Sequence, residues 1–188
     1  VIEPFLETTT HFDTDGEEIN RQVVYKDQQG YPIKYEEYMA GELVYYNEIK
    51  NDSYGKLLEK TTVYLNSDEE KRDTVKIDYD SNGNEIQVDR YNELGEWLDS
   101  ELSTYERNLL VFFKYENHYD SHYNHNIEYK YDRDENLLEE TKRNYKGDII
   151  YCHKFEYNKY GDKIAYTEIE VDVNRNSLQK FVFEIEYW

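Results

Sequence analysis

Alanine is almost missing from this chain: two occur in 188 residues, Ala40 and Ala165. Helical domains lean on alanine, the strongest helix former. The residues that stand in its place, 22 Tyr together with Val, Ile and Thr, favour strands. Helix is thereby excluded as the main element. Cysteine is reduced to Cys152, which rules out an intrachain disulfide. No run approaches the ~18 consecutive apolar residues of a helical membrane span. Basic residues are few, 22 Lys and Arg against 42 Asp and Glu, leaving a formal net charge of -20. Such a balance argues against nucleic acid and against an anionic membrane surface, because both require cations that displace counterions. A protein partner with a basic surface is favoured instead.

What is present is aromatic. Leu, Ile, Val and Phe number 43, a content close to that of disordered chains. The 22 Tyr and two Trp change that, since each aromatic can bury ~150–250 Å². The chain is expected to fold as one β-repeat domain over residues 1–188, a length ordinary for a single domain.

The eight glycines, at 16, 30, 41, 55, 83, 95, 147 and 161, fall at multiples of about 13 residues, one strand plus one turn. Several close turn sequences such as Asp13-Thr14-Asp15-Gly16, Asp80-Ser81-Asn82-Gly83 and Asn158-Lys159-Tyr160-Gly161, where Gly or Asn can take positive φ. Two steps make the unit: Tyr79, Tyr105, Tyr131 and Tyr157 lie 26 residues apart, Phe183 follows one step later, and each precedes Asp80, Glu106, Asp132, Asn158 or Glu184. Asp27, Asp52 and Asp80 continue the pattern upstream in looser register.

Alternation within the unit has period two. Val75, Ile77 and Tyr79 face one way and Lys76, Asp78 and Asp80 the other, and Ile127, Tyr129 and Tyr131 repeat this against Glu128, Lys130 and Asp132. The expected fold is all-β: an antiparallel meander of hairpin repeats, about 26 residues and two strands per unit, curved or partly rolled. Its aromatic face, Ile77, Tyr79, Tyr129, Tyr131, Phe155, Tyr157, Phe181 and Phe183, is expected to be mainly buried and structural.

The phrases Ile77-Asp78-Tyr79-Asp80-Ser81-Asn82-Gly83-Asn84-Glu85-Ile86, Glu128-Tyr129-Lys130-Tyr131-Asp132 and Phe155-Glu156-Tyr157-Asn158-Lys159-Tyr160-Gly161-Asp162-Lys163-Ile164 resemble the tyrosine–aspartate (YD) repeats of bacterial RHS-type proteins. The match is degenerate, with Leu109 and Glu135 where Gly83 and Gly161 stand. The resemblance implies β-hairpin sheets in an exported bacterial setting and implies no reaction.

Catalytic and cofactor motifs are absent: there is no phosphate loop, dinucleotide fingerprint, nucleophile elbow or His-Glu-x-x-His. Asp78, Asp80, Asn82, Gly83 and Asp89 imitate a calcium loop, but strand patterns flank them and a hairpin turn explains them. Cys152 and His153 are neighbours, so a strand sends them to opposite faces and defeats a nucleophile–base pair. His118, His122 and His125 are spaced as metal ligands could be. The favoured reading is that they fill a glycine-free turn, with no metal and no cofactor. Aromatics off the repeat register are the candidates for binding: Tyr119, Tyr123, Trp97 and the terminal Trp188, with Tyr45 and Tyr46 beside them.

These features point to a non-enzymatic protein-binding module with an acidic, Tyr-rich surface, an accessory or blocking subunit of a bacterial envelope or secretion assembly. Two alternatives stay open: an immunity or inhibitor protein against a basic toxin, and a carbohydrate-binding surface protein. The chain begins at Val1, which fits a removed N-terminal signal and a periplasmic or surface location. An immunity protein would instead be cytoplasmic.

Overall fold

The structure is a computed structural model that describes residues 5–65, 71–172 and 177–184. Strand follows strand: β1 (Phe5–Phe12), β2 (Glu18–Lys26), β3 (Pro32–Met39), β4 (Glu42–Asn51), β5 (Leu57–Tyr64), β6 (Lys71–Tyr79) and β7 (Glu85–Tyr91). The series continues with β8 (Trp97–Glu106), β9 (Leu109–Asn117), β10 (His125–Tyr131), β11 (Leu137–Asn144), β12 (Ile149–Tyr157), β13 (Lys163–Asp172) and β14 (Ser177–Glu184). Helix among the described residues amounts to a single 3-10 turn, Ser121–Tyr123. The expected all-β antiparallel meander is the fold.

The chain forms two compact units, Val1–Asp78 with Val88–Leu98, and Tyr79–Gln87 with Asp99–Trp188. In the first, β1 to β6 pair in chain order; in the second, β8 to β14 do the same. Neither series returns to its own first strand, so each series is open.

Eight connections share one geometry, headed by Asp13, Asp27, Asp52, Asp80, Asn92, Asp132, Asn144 and Asn158. Calling that residue i, its N–H donates to the carbonyl of i+4, and the N–H of i+3 donates back to the carbonyl of i. The side-chain Oδ1 of residue i accepts from the N–H groups of i+2 and i+4 at 2.7–3.0 Å. The result is a three-residue hairpin loop whose last residue is left-handed. The strand register slips by one residue beside the loop, as at Tyr25/Lys26 and Glu156/Tyr157.

Position i+3 demands positive φ. Glycine supplies it in seven of the eight turns, with φ from 74° to 88°, and Glu135 adopts 67° in the eighth. Where Leu109 stands in place of a repeat glycine, the structure drops the three-residue loop. Arg107 and Asn108, at φ 52° and 65°, make a two-residue turn and Leu109 opens β9.

A second pairing crosses the turns between i and i+4. Asn84 donates to Asp80 Oδ2 and Asn136 to Asp132 Oδ2, both at 2.9 Å. Where Asn heads the turn the roles are exchanged: Asn92 donates to Glu96 at 2.8 Å, Asn144 to Asp148 at 3.3 Å and Asn158 to Asp162 at 3.0 Å. The Asn84 and Asn136 amides, with the turn N–H groups, hold the Asp80 and Asp132 carboxyls below the usual carboxylate range.

Burial departs from the expectation. Among the described residues the buried hydrophobic side chains are Val23, Val63 and Cys152. Ile77, Tyr79, Tyr129, Tyr131, Phe155 and Tyr157 are half-buried, and the side chains of Phe181 and Phe183 lie outside the described residues. The reason is the number of layers. Within each unit the described strands touch their sequence neighbours, so among the described residues a side chain is covered laterally, by others on the same face, and no second layer of strands packs on it. Hydrogen bonds tie some of these rings to the neighbouring strand: Tyr131 Oη donates to Leu110 O and Tyr157 Oη to Leu137 O, both at 3.0 Å.

Candidate functional site

The sheets set carboxylates among tyrosines. On β3, Glu36 and Glu37 point to opposite faces, and both are buried, at 6% and 9% exposure. Glu36 Oε2 accepts from the phenols of Tyr25 and Tyr38 at 2.8 Å each, and Oε1 accepts from Lys34 Nζ at 2.7 Å. Burial pushes the Glu36 carboxyl up, but the Lys34, Tyr38 and Tyr25 donors outweigh it and hold the group below its ordinary range. Glu37 accepts from the Tyr35 phenol and, at 3.3 Å, from Asn20. Burial and that bond raise the Tyr35 phenol well above its ordinary value.

Basic side chains dock on this pattern. The Lys34 ammonium lies 5.4 Å from the Tyr25 ring and 5.0 Å from the Tyr46 ring, and the Arg21 guanidinium stacks 4.0 Å over Tyr38. In the second unit a lysine and a tyrosine bind neighbouring carboxylates, Lys130 donating to Glu139 at 2.7 Å and Tyr151 to Glu140 at 2.5 Å.

The longest connection among the described residues follows Asn117, where 118–124 lead from β9 to β10. This loop is fixed by its own side chains. Asn117 Oδ1 accepts from the N–H groups of Tyr119 and Asp120 at 3.0 and 2.8 Å, and Asn124 Oδ1 accepts from Asn117 N–H at 2.6 Å. Asp120 Oδ1 takes the N–H of His122 at 2.9 Å and lies 2.8 Å from its Nδ1. The His122 backbone and ring hold the Asp120 carboxyl below its ordinary range. His122 packs edge-on against Tyr145, ring centres 5.0 Å apart, linking the loop to the β11–β12 turn. Beside this bridge is a cleft of about 410 Å³, lined by Lys114, Glu116, Asn126, Tyr145 and Lys146 among others.

Of the residues singled out from sequence, Tyr119 and Tyr123 project from this loop, 62% and 66% exposed. Trp97 is half-buried at the start of β8, in the other unit. Trp188 lies outside the described residues. Tyr45 is the middle ring of a row, 5.9 Å from Tyr35 and 6.1 Å from Tyr64. The three histidines are not gathered: His125 Nδ1 lies 2.9 Å from the Tyr123 carbonyl, and His118 packs on Tyr119 at 5.5 Å. Among the described residues no group of three His, Cys, Asp or Glu side chains is placed to hold a metal ion. Cys152 is buried with the Thr141 hydroxyl 3.4 Å from Sγ, whereas His153 stacks on Tyr151 at 4.6 Å and faces Glu168 at 3.3 Å.

Sequence reasoning missed the tips of the Asx turns. Tyr54, Leu94 and Tyr160 all stand at i+2 of their turns and all are strongly exposed. The signal was available, since an apolar side chain two residues after the heading Asx points away from both strands.

No family model matches the chain, and no curated protein matches it in sequence. Among solved structures, TcdB2-TccC3-TEV aligns at 11% identity over 96% of this chain and 14% of that one, with a TM-score of 0.38. TcdB2-TccC3 without its hypervariable C-terminal region gives 12%, 96%, 14% and 0.38. A porin-like protein from Bacteroides uniformis gives 12%, 96%, 59% and 0.37. The chain thus spans 14% of the TcdB2-TccC3 chains and 59% of the porin-like chain. Among the described residues no helix is long and apolar enough to cross a membrane.

Proposed function

We propose that the protein is a non-enzymatic binding module that presents an acidic, Tyr-rich β-repeat surface to a basic protein partner. The reading is supported by Lys34, whose ammonium lies 2.7 Å from the Glu36 carboxylate and 5.4 and 5.0 Å from the centres of the Tyr25 and Tyr46 rings, an arrangement that a partner's lysine would copy at another carboxylate. With 42 Asp and Glu against 22 Lys and Arg, 20 of the carboxylates have no basic side chain in the chain to match them. A partner's Lys and Arg supply them, gaining charge-assisted bonds and contacts with the rings. The setting, an accessory or blocking subunit of a bacterial envelope or secretion assembly, rests on the RHS-type resemblance.

The test is capture of a partner from a bacterial extract at low salt, identification, and zero-length cross-linking of the purified pair. The reading expects cross-links between partner lysines and Asp or Glu of this chain. A partner that binds through a neutral or acidic surface would refute it.

A further inference from the structure

We propose that the outer edge of β1 pairs with β1 of a second copy of this chain, antiparallel, in one register that sets Thr9 opposite the partner's Thr9. β1 begins the strand order of the first unit and is paired on one side, to β2. The reading of a basic partner plays no part in this, so either can fail alone.

The backbone fixes which groups are free. Asp13, one residue past β1, turns both its polar groups toward the returning strand: its N–H donates to Glu17 O at 2.9 Å, and its C=O accepts from Gly16 N–H at 3.2 Å. Successive residues of a strand aim these groups to opposite sides. Counting back from Asp13, residues His11, Thr9, Glu7 and Phe5 face β2, opposite Asn20, Gln22, Val24 and Lys26. Phe12, Thr10, Thr8 and Leu6 therefore aim their donors and acceptors away from β2, and among the described residues no strand pairs there. The register shift beside the turn skips Ile19 on β2, so β1 itself carries no bulge.

The register follows from those four residues. Antiparallel strands bond where outward residues stand opposite outward residues. With Thr9 against the partner's Thr9, all four are engaged: Leu6 with the partner's Phe12, Thr8 with the partner's Thr10, and the two reciprocal pairs. Sliding by one residue sets outward against inward groups, and sliding by two leaves an outward residue of β1 without an opposite. Side chains agree with this register. Leu6 and Phe12, 60% and 59% exposed, meet across the pairing on one face, with threonines against threonines between them. On the other face Glu7 stands opposite the partner's His11. Apolar, threonine and opposite-charge pairs across strands all stabilise a sheet.

Charge selects a second copy as the occupant. Edge strands are usually blunted by Lys, Pro or a bulge. The sequence of β1, FLETTTHF, has neither Lys nor Pro, and its one acidic residue, Glu7, is already bound by Lys26. In a chain of net charge -20 such a strand is where two copies can approach without setting carboxylates together. The pairing is two-fold and uses up both edges, so it closes at a dimer.

Seven paired residues make a small interface, so the dimer should be weak and concentration-dependent. Sedimentation velocity of the full chain from about 5 to 500 µM reads it. A monomer–dimer equilibrium is expected, and raising salt from about 50 to 500 mM should strengthen it by screening the repulsion between two acidic chains. Binding to a basic protein responds in the opposite sense. Thr8→Pro removes an outward N–H while sparing the bonds to β2, and Phe12→Glu adds a carboxylate at an exposed position; each should weaken dimerisation about tenfold or more. Circular dichroism of dilute samples confirms that both fold. With oxidised glutathione, Thr9→Cys should form a disulfide-linked dimer faster than Thr8→Cys or Thr10→Cys, because the two-fold pair sets its Cα atoms about 4.5 Å apart and the other positions meet their own copies beyond disulfide reach. A chain that stays monomeric, open-ended oligomers, a dimer weakened by salt, a dimer unchanged in the folded variants, or equal cross-linking at the three positions would overturn the proposal.

Discussion

Glu135 stands at φ 67° in the place that Gly161, one 26-residue unit later, occupies at φ 86°. A side chain in the left-handed region costs ~1–2 kcal/mol that glycine avoids. Glu135→Gly is therefore expected to stabilise the protein by about 1 kcal/mol, once the greater freedom of glycine in the unfolded chain is set against the strain removed. Urea unfolding measures this, and a loss of stability would show that the eighth turn is not equivalent to its seven sisters.

The exchanged amide and carboxylate across the turns predict a reversible swap. Asp132→Asn alone sets two amides face to face, and Asn136→Asp alone sets two carboxylates together, so each should lower the unfolding midpoint. The double variant recreates the Asn158–Asp162 arrangement and should recover most of the loss. Additive losses in the double variant would deny that the two side chains act as a pair.

Acid should destabilise the fold through the same turns. The Asp80 and Asp132 carboxyls, held down by Asn84 and Asn136, sit below the ordinary aspartate range in the folded chain. Their contribution is complete above the unfolded value and is lost as pH falls through the depressed folded values. Unfolding midpoints measured from pH 6 to pH 2 should accordingly fall below about pH 4, and a flat profile across that window would contradict the turn hydrogen bonds.

Phe155 on β12 carries the Lys163 ammonium 4.3 Å over its ring and has Tyr166 at 6.4 Å on β13. Because it is half-buried and no second layer packs on it among the described residues, Phe155→Ala should cost about 1–2 kcal/mol. A loss of ~3–5 kcal/mol, the range of a closed core, would mean that this face is covered by a further layer.

Much of this fold is legible in the sequence because glycine spacing and period-two alternation report local geometry. Asp80, Asp132 and Asn158 head turns where the repeat placed them. Glu135 was marked by the period alone, since nothing about a glutamate announces positive φ. Burial of Tyr129 and Phe155 was over-read for a physical reason: alternation tells which side chains share a face but not whether a second layer packs on it. The 117–124 segment stood out as a glycine-free turn with Tyr119 and Tyr123. Its cleft did not, because Asn126 and Lys146 come together only through strand pairing.

The proposed role turns on whether the acidic, tyrosine-lined surface is what a partner meets, and the association rate reads that most directly. With the captured partner, stopped-flow association between about 20 and 200 mM salt should slow by an order of magnitude or more, as electrostatic steering is screened. A rate indifferent to salt would contradict the account and leave the excess of carboxylates to solubility alone.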